Sequence, residues 1–315
     1  MRALVIGAAG FVGRFLVQHL LEQGDEVFAT TLREPIELPQ ERTFALDITS
    51  AASAAEVFEQ VRPDVVYHLA GISFVPEAEA DFDKALQVNV GGTANVLRHA
   101  HLVSRRTAVL FVSSAEVYGQ VEPSDLPIRE STPLRPANNY SLSKRMGELL
   151  VERYARQNAL TCTIVRPFNH IGPGQSSRFV ASNFALQLAR IAHGKAPPVL
   201  QVGNLEARRD FSDVRDIVRA YRMLAHQEGG VFNLGSGQSR PIHSLLDGLI
   251  RVSGLKVRIE QDPARMRGPE VPELYASFDR AESVVGWRPQ VPIEQSLSDI
   301  YRYWHERVGA ESATI

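Results

Sequence analysis

Across residues 1–170, short apolar runs alternate with longer amphipathic stretches. Residues 3–6, 26–30, 65–69, 109–113 and 162–166 are almost continuously apolar, the pattern of strands buried on both faces of a parallel sheet. Between them, residues 11–23, 51–61, 82–101 and 140–158 repeat apolar positions at helical spacing, with Thr49 and Ser50 as candidate N-caps of the second. Such alternation predicts right-handed crossovers and an α/β, doubly wound parallel sheet. After Arg166 the rhythm changes. Prolines and glycines punctuate a predicted helix over 179–193, residues 231–234 read as a late strand returning to the sheet, and the chain from about Gly235 reads as short helices broken by prolines. The tail 309–315 is small and polar and is expected to fray.

Composition narrows the class. The chain has 315 residues with 34 basic and 36 acidic side chains, a net charge of −2, which argues against a surface that binds nucleic acid by bulk charge. One cysteine, Cys162, excludes an intrachain disulfide and a cysteine-rich metal site; in Thr161-Cys162-Thr163-Ile164-Val165 it reads as a buried strand residue. No metal site is expected. No apolar stretch approaches the roughly 20 residues that span a bilayer, and a strand pattern begins at the N-terminus, so the expectation is a soluble, cytoplasmic protein without a membrane partner.

The strongest local signal is Gly7-Ala8-Ala9-Gly10-Phe11-Val12-Gly13, between the first strand and the first helix. Glycines there permit a tight turn, backbone approach to a pyrophosphate, and close helix–strand packing. The phosphates would meet the positive end of the helix. In this strand–turn–helix context the motif predicts a Rossmann-type dinucleotide site. Further along, Tyr140 and Lys144 are four residues apart at a helix start, so both face one side. An ammonium beside a phenol favours the phenolate and is expected to bring Tyr140 toward a working pKa. Ser114, at a strand end, can hold a carbonyl oxygen. A Tyr–Lys pair alone more often marks a solvated face; the glycine turn and Ser114 favour catalysis.

These motifs together resemble the extended short-chain dehydrogenase/reductase family over nearly the whole chain. Gly-x-x-Gly-x-x-Gly, Asp47-Ile48, Leu69-Ala70-Gly71, Asn89 within Asn-Val-Gly-Gly-Thr, the segment from Ser113 to Gly119, Tyr140-Ser141-Leu142-Ser143-Lys144 and Arg209-Asp210-Phe211 carry the likeness. The resemblance implies Ser114, Tyr140 and Lys144 as catalytic residues. It also implies a cofactor site built from Gly7, Gly10, Phe11, Val12, Gly13, Thr31, Arg33, Asp47, Ile48, Leu69, Ala70, Gly71, Asn89, Tyr140, Lys144 and Phe168. Cofactor choice turns on Ala29-Thr30-Thr31-Leu32-Arg33, where no carboxylate occurs before Glu34 to hold a ribose 2′-hydroxyl. Arg33 is either the partner of a 2′-phosphate or a loop residue facing water; NADP(H) is expected, with NAD(H) as the alternative.

The second half is similar to the substrate region of GDP-4-keto-6-deoxy-mannose reductases, in Arg166-Pro167-Phe168-Asn169-His170-Ile171-Gly172-Pro173-Gly174-Gln175, in residues 203–211 and in residues 264–271. Arg209 and Arg267 are two guanidinium forks suited to a diphosphate. Glu270 can accept from a ribose diol, Phe179 and Val180 lie where relatives enclose the base, Asn169 and Glu116 complete the substrate set, and His170 reads as structural. The implied organisation is a dinucleotide-binding domain over 1–167 with a late return near 211–238. A smaller, irregular sugar-nucleotide lobe would span 168–210 and 239–308. The implied reaction is NAD(P)H-dependent reduction of the C4 ketone of GDP-4-dehydro-6-deoxy-D-mannose, in a homodimer associating through the helices 82–101 and 140–158. GDP-mannose 4,6-dehydratase is the alternative, because Glu116 occupies the place where dehydratases carry a glutamate; a 4-epimerase is third. A non-catalytic cofactor sensor is disfavoured because Ser114, Tyr140 and Lys144 are all present.

Overall fold

The buried apolar runs become strands, numbered in chain order. The first six are β1 (Arg2–Ile6), β2 (Glu26–Thr31), β3 (Thr43–Ala45), β4 (Val65–His68), β5 (Ala108–Val112) and β6 (Cys162–Pro167). They are followed by β7 (Asn169–Ile171), β8 (Val199–Val202), β9 (Arg208–Asp213), β10 (Gly230–Leu234), β11 (Ser239–Pro241), β12 (Arg258–Gln261) and β13 (Glu273–Leu274). The computed structural model describes residues 1–32, 36–158, 160–225, 227, 229–265 and 271–311. A parallel seven-stranded sheet runs β10-β6-β5-β4-β1-β2-β3. Strand order reverses between β1 and β4, so a crevice opens at their C-terminal ends, the usual ligand position in such sheets.

Helices Phe11–Glu22 and Val214–Leu224 cover one face of the sheet, with Leu16, Leu20, Ile217, Tyr221 and Leu224 fully buried. Ala51–Val61, Thr93–Val103 and Asn139–Asn158 cover the other, packing Val57, Phe58, Val96, Leu97 and Val151 on Leu4, Val66 and Phe111. A third core lies outside the sheet. There helices Val180–Ala192, Ile242–Ser253 and Ile293–Ala310 bury Phe184, Leu188, Leu246 and Ile300 against Ile171 of β7, Leu200 of β8 and Phe211 of β9. Strand β9 organises this half, pairing with β11 antiparallel and with β7 and β13 parallel.

Several elements differ from the sequence reading. Strand β3 was not anticipated: it is three residues long at a sheet edge, too short to show a period. The span 82–101 is not one helix. It divides into Phe82–Leu86, a π-helical segment Gln87–Gly92, and Thr93–Val103. The helix Val214–Leu224 also went unread, although Val214, Ile217, Val218, Tyr221 and Leu224 repeat at helical spacing. The C-terminal part is more regular than its prolines suggest, since those at 241 and 292 precede long helices as N-caps. Gly309 and Ala310 lie within the last helix, with Gly309 close against His193, so the tail is ordered there; residues 312–315 lie outside the described residues. Residues 278–287 pack into the sheet-side core, where Trp287 is fully buried and its indole donates to the Asp216 carbonyl at 2.9 Å.

Candidate active site

The glycine turn sits at the end of β1. Gly7 has φ +89°, and a Cβ there would lie 2.8 Å from the Ala70 amide nitrogen, so the turn needs glycine both for conformation and for approach to the turn after β4. Gly10 is the N-cap of Phe11–Glu22; no side chain caps this helix and its first turn holds no acid. Its amide end and positive dipole therefore remain available to phosphates, which fits a dinucleotide. Gly13 lies in the first turn of the helix against Gly7 and Ala8, and Val12 packs on the first core. The ring of Phe11 stacks on His170 with centroids 6.2 Å apart, and His170 Nδ1 lies 3.0 Å from the Phe168 carbonyl. Burial lowers the pKa of His170, consistent with a neutral, structural imidazole.

Thr31 ends β2, and its carbonyl accepts from Leu46. Asp47 accepts from the Thr49 amide and hydroxyl, at 2.9 and 2.7 Å, while buried Ile48 lies under Gly92. Ser50 is the helix cap, accepting from Ser53 at 3.2 Å. Arg33, Arg267 and Glu270 lie outside the described residues.

A second group converges at the end of β4. Leu69 and Ala70 both donate to the Ile6 carbonyl at 3.0 Å. A Cβ on Gly71 would lie 2.8 Å from Asn89 Oδ1 and 3.7 Å from Lys144 Nζ, so these three residues are immediate neighbours. Buried Asn89 accepts from Ile72 N at 2.8 Å and donates to Ile72 O at 3.1 Å and Ser143 Oγ at 2.9 Å. It lies in the π-helical segment, a widened turn of the kind that recurs at functional sites. Thr93 donates to the Asn89 carbonyl at 2.7 Å and lies 3.0 Å from His68 Nε2. Buried His68 is pushed down to about 3, chiefly by desolvation and then by the Lys144 charge, so it is neutral. Sequence reading passed over His68 because an apolar strand with one imidazole looks like any core strand.

Ser114 caps a 3-10 turn, Ala115–Tyr118, accepting from the Glu116 amide at 3.1 Å, and its hydroxyl acts on the Tyr140 phenol. Tyr140 is buried. Desolvation raises it to about 12, the Ser114 hydrogen bond opposes the rise and the Glu116 charge adds to it. Lys144 is lowered to about 8 by desolvation, with Glu148 opposing. This differs from the expectation that the ammonium would bring the phenol toward neutrality. Lys144 instead donates to the Val112 carbonyl at 2.7 Å and stands over the Phe111 ring, and burial dominates both groups.

Beneath the site lies a network that sequence reading missed. Glu148, fully buried, receives both arms of Arg166 at 2.8 Å and the Ser113 hydroxyl at 2.6 Å. Arg166 also donates to Tyr118 OH at 2.9 Å, and that hydroxyl donates to Asn233 at 2.7 Å. The available signal was spacing: Tyr140, Lys144 and Glu148 recur every four residues on one helix face.

The candidate substrate residues surround this centre less tightly. Phe168 is buried, its ring stacked on Tyr118 at 6.4 Å, and Asn169 is exposed at the start of β7. Phe179 caps the helix that begins at Val180 and meets Phe74 edge-on at 5.9 Å. Arg209 lies on β9 and donates to the carbonyls of Arg208 and Val271, both at 2.8 Å.

The chain is similar to known proteins along nearly its whole length. The family model described as GDP-mannose 4,6 dehydratase matches residues 4–300. A GDP-6-deoxy-D-mannose reductase of Pseudomonas aeruginosa is 37% identical over 98% of this chain and 99% of its own. A GDP-6-deoxy-D-talose 4-dehydrogenase of Aggregatibacter actinomycetemcomitans is 30% identical over 91% of this chain and 92% of its own. Among solved structures, RMD from Pseudomonas aeruginosa complexed with NADPH superposes with TM-score 0.86 and 33% identity, covering 98% of this chain and 100% of that one. The Thermus thermophilus UDP-glucose 4-epimerase complexed with NAD gives TM-score 0.86 at 25% identity, covering 96% of this chain and 99% of that one. With full-length relatives and a family model spanning nearly all of it, the chain belongs to the GDP-mannose 4,6-dehydratase family of short-chain dehydrogenase/reductase enzymes.

Proposed function

We propose that this protein reduces the C4 ketone of GDP-4-dehydro-6-deoxy-D-mannose to GDP-6-deoxy-D-mannose (GDP-D-rhamnose), using NADPH in preference to NADH. The observation that carries the reading is that Ser114, whose hydroxyl acts on the buried Tyr140 phenol, stands with the Lys144–Asn89–Gly71 cluster at the open end of β4 and β5. The Pseudomonas relatives supply the substrate and cofactor identities. The bound nicotinamide supplies the hydride. Tyr140 keeps its proton at neutral pH, because burial holds the phenol near 12, and so it can donate to the oxygen as charge develops there. Ser114 holds that oxygen, and Lys144 is placed to donate to the cofactor ribose. The glycine turn and the Phe11–Glu22 helix end would hold the pyrophosphate.

In this reading, residues 1–167 with β10 bind the dinucleotide and the third core carries the sugar nucleotide. The enzyme works in the cytoplasm, where reduced cofactor and nucleotide sugars are made. It acts as a homodimer through Asn139–Asn158, whose Leu142, Met146 and Leu149 form an exposed apolar stripe.

Glu116 favours one second reading, a 4,6-dehydratase, because its charge acts on Tyr140. A dehydratase must move protons at C5 and C6; a reductase needs only hydride and the Tyr140 proton. Product analysis by NMR separates them. With NADPH and the 4-keto sugar, the protein is expected to consume NADPH stoichiometrically with product. Glu116→Gln is expected to keep measurable reductase activity, losing about 1.5–3 kcal/mol of transition-state binding, the scale of one charged hydrogen bond. GDP-mannose converted to its 4-keto-6-deoxy form without net cofactor change would establish the dehydratase instead.

A further inference from the structure

Tyr140 is the second residue of the helix Asn139–Asn158, so the phenol hangs from the part of a helix least secured by its own backbone. The first amides of a helix have no acceptor within it. Here Asn138 and Ser141 cap each other: the Asn138 side chain accepts the Ser141 main-chain N–H at 2.8 Å, and the Ser141 hydroxyl accepts that of Asn138 at 3.1 Å. That exchange does not reach the Asn139 N–H, the one next to Tyr140. The first turn of the helix carries no acid of its own either.

The Asn139 N–H is taken from across the fold. Glu79 Oε1, sixty residues earlier in the chain, accepts it at 2.6 Å, a short and charge-assisted bond. Glu79 lies in the short helix Val75–Ala80, whose Ala78 is fully buried in one apolar cluster with Ile72, Ala85 and Tyr140. Farther along, the Tyr140 carbonyl accepts from the Ser143 hydroxyl at 2.7 Å, and that hydroxyl accepts from Asn89 at 2.9 Å. Tyr140 is therefore held by packing at its side chain, by Ser143 at its carbonyl and by Glu79 at the residue before it. The neighbouring acid Glu77 spends its charge elsewhere, on Lys84 at 3.3 Å and Arg178 at 3.5 Å. The charge of Glu79 instead meets the positive end of the catalytic helix, where an anion is favoured.

We infer that Glu79 is a positioning residue for the reduction: it fixes the start of the catalytic helix and so the place of the Tyr140 hydroxyl relative to the substrate oxygen. It acts through the Asn139 N–H and not on the reacting atoms. Proton transfer depends steeply on such placement, since an error of about 1 Å costs on the order of a hundredfold in rate. The inference rests on the proposed reading of Tyr140 as the proton donor.

The test compares the full-length wild type with Glu79→Ala and Glu79→Gln, and with Glu77→Gln as a control on the same short helix. The readouts are kcat and KM for the 4-keto sugar, NADPH affinity by fluorescence, and amide hydrogen exchange across residues 138–145 in the NADPH complex. Glu79→Ala is expected to lower kcat about tenfold, with KM and NADPH affinity within about twofold of wild type, and to speed exchange at Tyr140 and Ser141. Glu79→Gln keeps an acceptor without the charge and should lose about threefold in kcat. Glu77→Gln should leave kcat unchanged, because that side chain does not bond to the catalytic helix. A merely structural cap would lower the melting temperature and leave kcat untouched well below it, and that result would overturn the assignment. So would a fall in kcat matched by equal losses in KM and NADPH affinity, or one reproduced by Glu77→Gln. A wild type that leaves the ketone unreduced would overturn the reductase reading; faster exchange at Tyr140 in Glu79→Ala would then leave the positioning role standing, and unchanged exchange would overturn that as well.

Discussion

Burial drives Tyr140 and Lys144 in opposite directions, the phenol up to about 12 and the ammonium down to about 8. Each is thereby biased toward its neutral form, which suits a proton donor that must not ionise early. Tyr140→Phe removes the proton and leaves the ring, so turnover should fall at least a hundredfold while NADPH affinity, read by fluorescence, changes little. Near-normal turnover would remove Tyr140 from the mechanism. Lys144 carries a stability cost that follows from linkage. Its folded pKa lies below the ordinary 10.5, so the folded state disfavours the proton, and stability rises as pH climbs from about 8 to 10.5. The penalty below pH 8 is of order 3 kcal/mol, partly offset by the hydrogen bond to Val112. Lys144→Met should therefore abolish activity yet unfold no more easily than wild type at pH 7, and urea melts should show any advantage shrinking toward pH 10. A mutant destabilised equally at both pH values would show that packing, not desolvation, governs the position.

Among the elements, the helix Asn139–Asn158 unites catalysis and architecture, since one face holds Tyr140, Lys144 and Glu148. Glu148 fastens that face to β6 through Arg166 and to the end of β5 through Ser113. Burial alone would raise its carboxyl, but the Arg166 hydrogen bonds and charge prevail and hold it below the usual range. Such a group contributes stability above its unfolded pKa and loses it as pH falls through the folded value. Glu148→Gln leaves a buried guanidinium without its counter-ion and should cost about 3–5 kcal/mol in denaturant melts. A cost under 1 kcal/mol would mean that Arg166 finds another partner. The legibility of such elements follows from their length and burial. Strands such as β1, buried from Ala3 onward, and β6, buried throughout, announce themselves as apolar runs, and the glycine turn follows from its place between strand and helix. The π-helical segment around Asn89 left no trace, because inserting one residue into a turn changes phase, not composition.

At the scale of the molecule, the two faces of the sheet are covered, yet the outer side of Asn139–Asn158 is not. Leu142, Met146 and Leu149 are 39, 36 and 48% exposed, and their spacing of four and three residues aligns them in one stripe. Single exposed apolar residues are ordinary, but an aligned stripe on a helix whose opposite face carries the catalytic residues is a surface that association would bury. A two-fold pairing of such stripes is self-complementary and closes at two copies. Sedimentation equilibrium of the wild type is expected to give a dimer. Met146→Glu combined with Leu149→Glu should give a monomer, because each stripe would then meet two buried carboxylates from its own side and two from its partner. If the dimer steadies the helix that positions Tyr140 and Lys144, the monomer should melt at a lower temperature and lose turnover with it. A double mutant that remains dimeric would place the interface elsewhere on the molecule, and a monomeric wild type would leave the stripe a solvated face.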